Sequence, residues 1–165
     1  KMSAEQIDHE ARLVEDDHHS LKLWLRLLTC SSLVENKIRE SLRQEFNTTL
    51  PRFDFMAQLQ RKPEGLMMGT LSKRMMVSGG NVSGIATQLV KDGLISRESL
   101  KTDRRTFVVK LTPKGLRSFN KMAARHEEWV IETIGPLGND NIEQLTSLLG
   151  ELKRTTLAAE SESDQ

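Results

Sequence analysis

Between residues 71 and 115 the chain gathers amide, hydroxyl and basic side chains in two clusters. Asn81, Ser83, Gly84, Thr87 and Gln88 recur at a spacing that places them on one face of a helix, opposite Val82, Ile85 and Leu89. Asn and Gln can offer paired donor and acceptor atoms to adenine, Ser and Thr can serve several bases, and Gly84 lets a backbone approach closely. None of the five is acidic. A second cluster, Asp103-Arg104-Arg105, lies in a segment (99–105) too polar to pack. An arginine at a protruding tip suits a narrow, electronegative minor groove. Asp103 would be repelled by phosphates unless it pairs with Arg97 or Arg105, so Asp103 and Arg97 are read as structuring the tip. Lys73, Arg74, Lys91 and Lys101 are candidate phosphate clamps, which position a protein on DNA without reading its sequence.

Charge follows the same division. The chain has 165 residues and a formal net charge of +1, which is unpromising for a polyanion binder. Residues 61–117, however, carry twelve Lys/Arg against four Asp/Glu, so this window is net +8 and the remainder net −7. That is an electrostatic footprint for phosphates.

These residues need elements to hold them. Leu21, Trp24, Leu27, Leu28, Ser31, Val34, Ile38, Leu42 and Phe46 step by three and four, predicting one long helix over 17–46. Thr49, Leu50 and Pro51 break it, and a short helix over 52–62 turns Phe53, Met56 and Leu59 inward. A third helix over 70–77 packs Leu71 and Met75. The turn Ser78-Gly79-Gly80 leads to a fourth over 81–91 with Val82, Ile85, Leu89 and Val90 inward, ended by Gly93 as a left-handed cap. Residues 94–98 and 106–111 alternate as hairpin strands. Thr112-Pro113 is a strong helix start. Two more helices follow, the second over 141–156 on a stripe of Ile142, Leu145, Leu148, Leu149 and Leu152.

The fold class expected is therefore mainly α with a small β wing: a winged helix-turn-helix (52–112) between N- and C-terminal dimerisation helices (17–47 and 113–156). Together they form a single subunit over 17–156, with flexible tails at 1–16 and 157–165. The terminal stripes exceed what one subunit can bury, so helices of two subunits are expected to interdigitate. A monomeric bundle capping the wing is the alternative.

Other classes find little support. No apolar run approaches a membrane span. The first residues (KMSAEQIDHEARLVEDDHH) are polar and acidic and do not read as a signal peptide. One cysteine, Cys30, fits a reducing cytoplasm, which is the expected location. Gly79-Gly80 with Gly84 lacks the Lys-Ser/Thr ending of a phosphate loop. No nucleophile, carboxylate pair or metal template has recognisable spacing, so neither enzyme chemistry, nor a cofactor, nor a metal is expected.

The run DRRTFVVKLTPKG, preceded by VSGGNVSGIATQLVKDGLISR, resembles the multiple-antibiotic-resistance regulator (MarR) family. The family's wing pattern of D-x-R followed by L-T-x-x-G falls on Asp103, Arg105, Leu111, Thr112 and Gly115, and the order of helices corresponds over about residues 17–155. The resemblance implies a homodimeric winged-helix repressor on an inverted-repeat operator, released by a small effector. It puts the minor-groove arginine at Arg105 and base contacts at Gly80, Asn81, Ser83, Gly84 and their neighbours. The chain departs from the pattern at the start of the third helix, where Met67 and Met68 stand in place of a frequent Thr, which leaves that helix without an evident cap. Within the family, residues 50–84 are similar to the branch that senses hydroxycinnamates or their coenzyme A thioesters.

An aromatic effector would suit the place where the first, second and fifth helices meet, because aromatic and Met side chains concentrate there: Trp24, Phe53, Phe55, Met56, Phe119, Met122 and Trp129. Arg26 and Arg52 at its rim could pair with a carboxylate or with CoA phosphates. For any one of the apolar residues, plain core packing is an equal reading. A redox sensor using Cys30, or a metal sensor drawing on His9, His18, His19 and His126, is the alternative on the same scaffold. Cys30 is expected to be an inert buried cysteine and His126 a hydrogen-bonded core histidine. An interaction module that has lost DNA binding is the third reading.

Overall fold

The computed structural model describes residues 18–76 and 81–163. It divides into two compact units, 1–127 and 128–165.

In the first unit, α1 (His19–Phe46) forms on the predicted apolar stripe, but burial along it is uneven. Ile38 and Leu42 are buried, whereas Leu21, Trp24 and Leu33 are exposed, Trp24 at 55%. Asn47 closes α1 in the left-handed conformation (φ 48°), its N–H donating to the Arg43 carbonyl. Thr49, Leu50 and Pro51 do more than break α1. The Thr49 hydroxyl accepts from the Arg52 N–H at 3.3 Å, and Leu50 and Pro51 form the first turn of α2 (Leu50–Gln60).

Helix α2 is the hub of this unit: eight of its eleven residues are buried, and it packs on α1, α3, α4 and the sheet. Its buried residues include an acid. Asp54 accepts from the Met76 backbone N–H at 2.7 Å and from Gln58 Nε2 at 3.0 Å. The carboxylate thereby fixes the chain where it leaves α3.

Helix α3 (Met68–Arg74) starts and ends earlier than the sequence predicts, with Leu71 buried. Its N-cap, Met67, supplies no side-chain bond, as the departure at Met67-Met68 implies. The end of the predicted third helix at 77 and the turn 78–80, including Gly80, lie outside the described residues. Helix α4 (Val82–Lys91) buries Ile85, Ala86 and Leu89. Val90 is exposed, contrary to expectation, because the inward stripe passes through Ile85 and Leu89 and leaves the next position turned away. Gly93 has φ +73°, and the Leu94 N–H reaches back to the Leu89 carbonyl, the predicted left-handed termination.

The wing is β2 (Ile95–Ser99) and β3 (Phe107–Leu111), antiparallel, with Arg97 opposite Val109 and Ser99 opposite Phe107. A third strand, β1 (Leu66–Met67), pairs with the other edge of β3, giving the order β1-β3-β2. Two residues are too few for an alternating pattern, so the sequence carries no sign of β1.

Thr112 then turns the wing into α5 (Pro113–Ile134). Its hydroxyl donates to the Gly93 carbonyl at 2.6 Å and accepts from the Gly115 N–H at 3.0 Å. A Cβ on Gly115 would lie 1.9 Å from the Leu94 carbonyl oxygen, so this position admits no side chain. The L-T-x-x-G pattern is thus the physical joint between wing and helix.

The second unit holds the end of α5, a 3-10 turn (Gly135–Leu137) and α6 (Asn139–Ser163). Helix α6 continues through 157–163, where the composition suggests a frayed tail, and none of its residues is buried. Leu145, Leu148, Leu149, Leu152 and Leu157 are all exposed in the single chain.

Candidate nucleic-acid interface

Three elements of the first unit carry the predicted contacts. On α4, Asn81 is the N-cap: its Oδ1 accepts from the Gly84 N–H at 3.2 Å. Ser83, Thr87, Gln88 and Lys91 are exposed, on the side of the helix away from Ile85, Ala86 and Leu89. The Thr87 hydroxyl donates to the Ser83 carbonyl at 3.0 Å, leaving its oxygen as an acceptor. Gln88 is not free. Its Oε1 accepts from Arg52 Nη1 at 3.1 Å, while Arg52 Nη2 meets Asp92 Oδ2 at 2.6 Å. The bond from Arg52 holds the Asp92 carboxyl below the usual carboxylate range.

These bonds bear on three of the expected contact residues. The amide oxygens of Asn81 and Gln88 each accept one bond within the protein and keep a second lone pair. Arg52, expected at the rim of an effector cleft, is committed to α4. Neither bond has a sequence signature, because the partners of Arg52 stand 36 and 40 residues away.

In the wing, Asp103 does fix the tip, but not through a guanidinium. Its Oδ1 accepts from the Arg105 backbone N–H at 2.9 Å and its Oδ2 from the Thr106 hydroxyl at 2.8 Å. The Arg105 N–H bond, and then that of Thr106, lower the Asp103 pKa, so it stays ionised. Because the acid is spent on backbone and hydroxyl, the Arg105 side chain is left for other contacts. Arg97 likewise does not pair with Asp103; its guanidinium lies 4.0 Å over the Phe107 ring. Arg104 and Lys101 line a shallow recess at the tip with Ser99 and Leu100.

An open cleft of about 580 Å³ joins the three elements. Lys73 comes to it from α3, Ser83 from α4, and Arg97 and Arg105 from the wing, above a floor that includes Met67, Met68, Thr70 and Phe107. Three cations and no carboxylate line it. Arg74 is exposed on α3 beside Lys73. Asp54, Asp92 and Thr106, which hold this face in shape, were not expected from sequence. The one available signal was Asp54, an acid between two phenylalanines on a helix that must be buried.

The remaining candidates lie elsewhere. Phe53, Met56, Phe119 and Met122 are buried, and Phe53 stacks on Phe119 at 5.3 Å and against His126 at 4.9 Å. Burial lowers the His126 pKa below the usual 6.5. Trp24 and Arg26 are exposed on α1. Cys30 is exposed on the same helix, not buried as its setting in an apolar stripe suggests. Among the described residues no three His, Cys, Asp or Glu side chains converge as metal ligands, and no helix is long and apolar enough to cross a membrane.

The MarR family profile matches residues 48–107, which is α2 through the start of β3. Over a longer span, a MarR family transcriptional regulator from Silicibacter pomeroyi is 30% identical in sequence and superposes with a TM-score of 0.76, covering 86% of this chain and 99% of that one. The chain belongs to the MarR family. The HTH-type transcriptional regulator BilQ of Clostridium symbiosum is 28% identical over 101 residues, which is 61% of this chain and 69% of that protein. A MarR family regulator from Streptomyces coelicolor, Sco3205, solved in complex with DNA, shares the fold at 20% identity with a TM-score of 0.74, covering 90% of this chain and 91% of that one. As a MarR-family member the protein is a DNA-binding transcriptional regulator and not an enzyme. Its winged helix-turn-helix is α3, α4 and the β2–β3 hairpin.

Proposed function

We propose that this MarR-family regulator is a homodimeric repressor that sets α4 in the major groove and the wing in the adjoining minor groove of an inverted-repeat operator. A small aromatic effector then releases it. The observation that carries the DNA side is the cleft lined by Lys73, Ser83, Arg97 and Arg105, which gathers three cations from two elements without an acid. The wing's order supports it, because Asp103 presents Arg105 without neutralising it. That a chain of the same fold is solved with DNA is in keeping with this reading. Gly80, Asn81, Ser83, Gly84, Thr87 and Gln88 are assigned to bases, and Lys73, Arg74, Lys91, Lys101, Arg104 and Arg105 to phosphates and the minor groove.

Dimerisation is assigned to helices within 17–47 and 113–156. Supporting it are the apolar side chains that stay exposed in one chain: Leu21, Leu23, Trp24 and Leu33 on α1, Ile131 and Ile134 on α5, and the leucines of α6. The effector is assigned to the region of Trp24, Arg26, Phe53, Met56, Phe119 and Met122. In support stand the Phe53–Phe119 stack and the unburied Trp24. A hydroxycinnamoyl-CoA thioester, and with it control of aromatic-acid catabolism, follows from the similarity of residues 50–84 to that branch.

The test is titration of p-coumaroyl-CoA, feruloyl-CoA and the free acids against the complex of the protein with the promoter of its own gene. Release by the thioester is expected, and by linkage operator DNA must weaken thioester binding by the same factor. Binding without release by any of these compounds removes the hydroxycinnamate assignment and leaves the DNA reading standing. A redox-sensing version of the reading has one observation in its favour, the exposure of Cys30. An oxidant response unchanged in Cys30→Ser removes it.

A further inference from the structure

One face of the wing runs from the core out to an arginine and an aromatic ring. Side chains on one face of a strand recur at every second residue. Ile95, Arg97 and Ser99 of β2 therefore share a face with their partners on β3, Leu111, Val109 and Phe107. Ile95 and Val109 are buried there, Phe107 is half-buried, and Arg97 and Ser99 are exposed. Arg97 and Phe107 are diagonal neighbours across the strand pair, within reach for a long and an aromatic side chain. They do meet: Arg97 Cζ lies 4.0 Å from the centroid of the Phe107 ring.

The kind of contact matters. A carboxylate would orient Arg97 but would also neutralise it and take up its donors. A ring face attracts the cation through its quadrupole and leaves the charge in place. Among the described residues no hydrogen bond or ion pair occupies the Arg97 guanidinium. Asp103 is engaged by the Arg105 N–H and the Thr106 hydroxyl, and Glu98 belongs to the opposite face of β2. Arg97 and Phe107 both line the cleft that Lys73 and Arg105 also line, and no carboxylate lines it.

We propose that Phe107 is a positioning residue for DNA binding: its ring holds the Arg97 guanidinium at the cleft, unneutralised, to take a backbone phosphate. Arg97 thereby passes from a residue that shapes the wing to one that grips DNA. This rests on the reading of the cleft as the DNA interface.

The experiment measures binding to a duplex carrying the promoter of the protein's own gene, over a range of salt concentrations. The full-length proteins compared are wild type, Arg97→Ala, Phe107→Leu, Phe107→Tyr and the double variant Arg97→Ala/Phe107→Leu, each checked by thermal unfolding. Arg97→Ala should weaken binding roughly 10-fold or more and flatten the salt slope by about one unit, as loss of a phosphate contact does. Phe107→Leu should weaken binding by about 2- to 5-fold, the contribution of an exposed cation–ring contact. Phe107→Tyr keeps the ring and should bind as wild type does. In the Arg97→Ala background Phe107→Leu should cost nothing further. Pentafluorophenylalanine in place of Phe107 keeps the ring's shape but removes the negative charge from its face. It should weaken binding as Phe107→Leu does at an unchanged melting temperature, and it replaces that variant if Phe107→Leu does not fold. Equal losses from Phe107→Leu in both backgrounds, or wild-type affinity with the fluorinated ring, overturn the positioning role. Wild-type affinity in Arg97→Ala overturns the whole proposal. Arg105→Ala, measured alongside, then separates the two failures: a loss there keeps the interface and removes only Arg97 from it, whereas no loss in either variant removes the interface reading as well.

Discussion

The backbone N–H of Arg105 rests on the Asp103 carboxylate at 2.9 Å, and the side chain of Arg105 reaches the cationic cleft. One residue thus supplies shape and its neighbour but one supplies charge. Arg105→Ala is expected to weaken operator binding by about 1–3 kcal/mol and to leave the melting temperature unchanged, since the residue is exposed. Comparison of operator and scrambled duplexes by fluorescence anisotropy reads this, and an unaltered affinity would take Arg105 out of the interface. Lys73→Ala is expected to act differently. It should weaken all duplexes about equally and flatten the salt slope by roughly one unit, as a phosphate contact does. A changed base preference at constant slope would make Lys73 a reader.

At the scale of elements, the joint between wing and α5 leaves no room for a side chain at Gly115. Thr112 bridges the Gly93 carbonyl and the Gly115 N–H, and Gly115 lies against the Leu94 carbonyl. Gly115→Ala must push α5 away from the end of α4, at a cost of about 1–3 kcal/mol or more. Urea unfolding checks it; a loss under about 0.5 kcal/mol, the range of neutral surface changes, would show that the joint yields easily. The contact of α2 with α5 carries a pH dependence. His126, beside Phe53, has its pKa lowered by burial, so the folded chain favours neutral imidazole and the unfolded chain binds more protons. The His126 contribution is complete above the unfolded value of about 6.5 and is lost as pH falls through the lower folded value. The melting temperature should fall on acidification through this window. His126→Phe, which keeps a ring against Phe53, should flatten the fall, and an identical decline in both proteins would assign it to other groups.

For the whole molecule, the decisive feature is what a single chain leaves uncovered. Helix α6 has a leucine stripe and buries none of it. Leu149→Glu costs the isolated subunit little, because Leu149 is exposed there, but would bury an unpaired charge in a dimer. Sedimentation should show a monomer of undiminished helicity, with weakened binding to an inverted repeat whose half-site centres lie about 10–11 base pairs apart. A Leu149→Glu dimer of wild-type strength would take α6 out of the interface.

Features whose cause lies within a few residues were legible before any coordinates. The apolar periods of α1 and α4, the left-handed Gly93, the Thr112 cap and the polar wing tip are all short-range consequences of side-chain chemistry and backbone sterics. So was the separation of a cationic window from an acidic remainder. The tertiary structure decided what depends on partners distant in sequence. It added β1, whose two residues gain their identity only from β3. It buried Asp54 to hold Met76, and it bonded Arg52 to Gln88 and Asp92 across 36 and 40 residues. It also assigned Asp103 to a backbone N–H in place of a guanidinium, a choice among partners equally near in sequence that only the turn's geometry could make. Composition names the groups able to donate and accept; which of them face outward is settled by packing, because each bond made inside the fold takes a lone pair or a hydrogen from what the surface can offer.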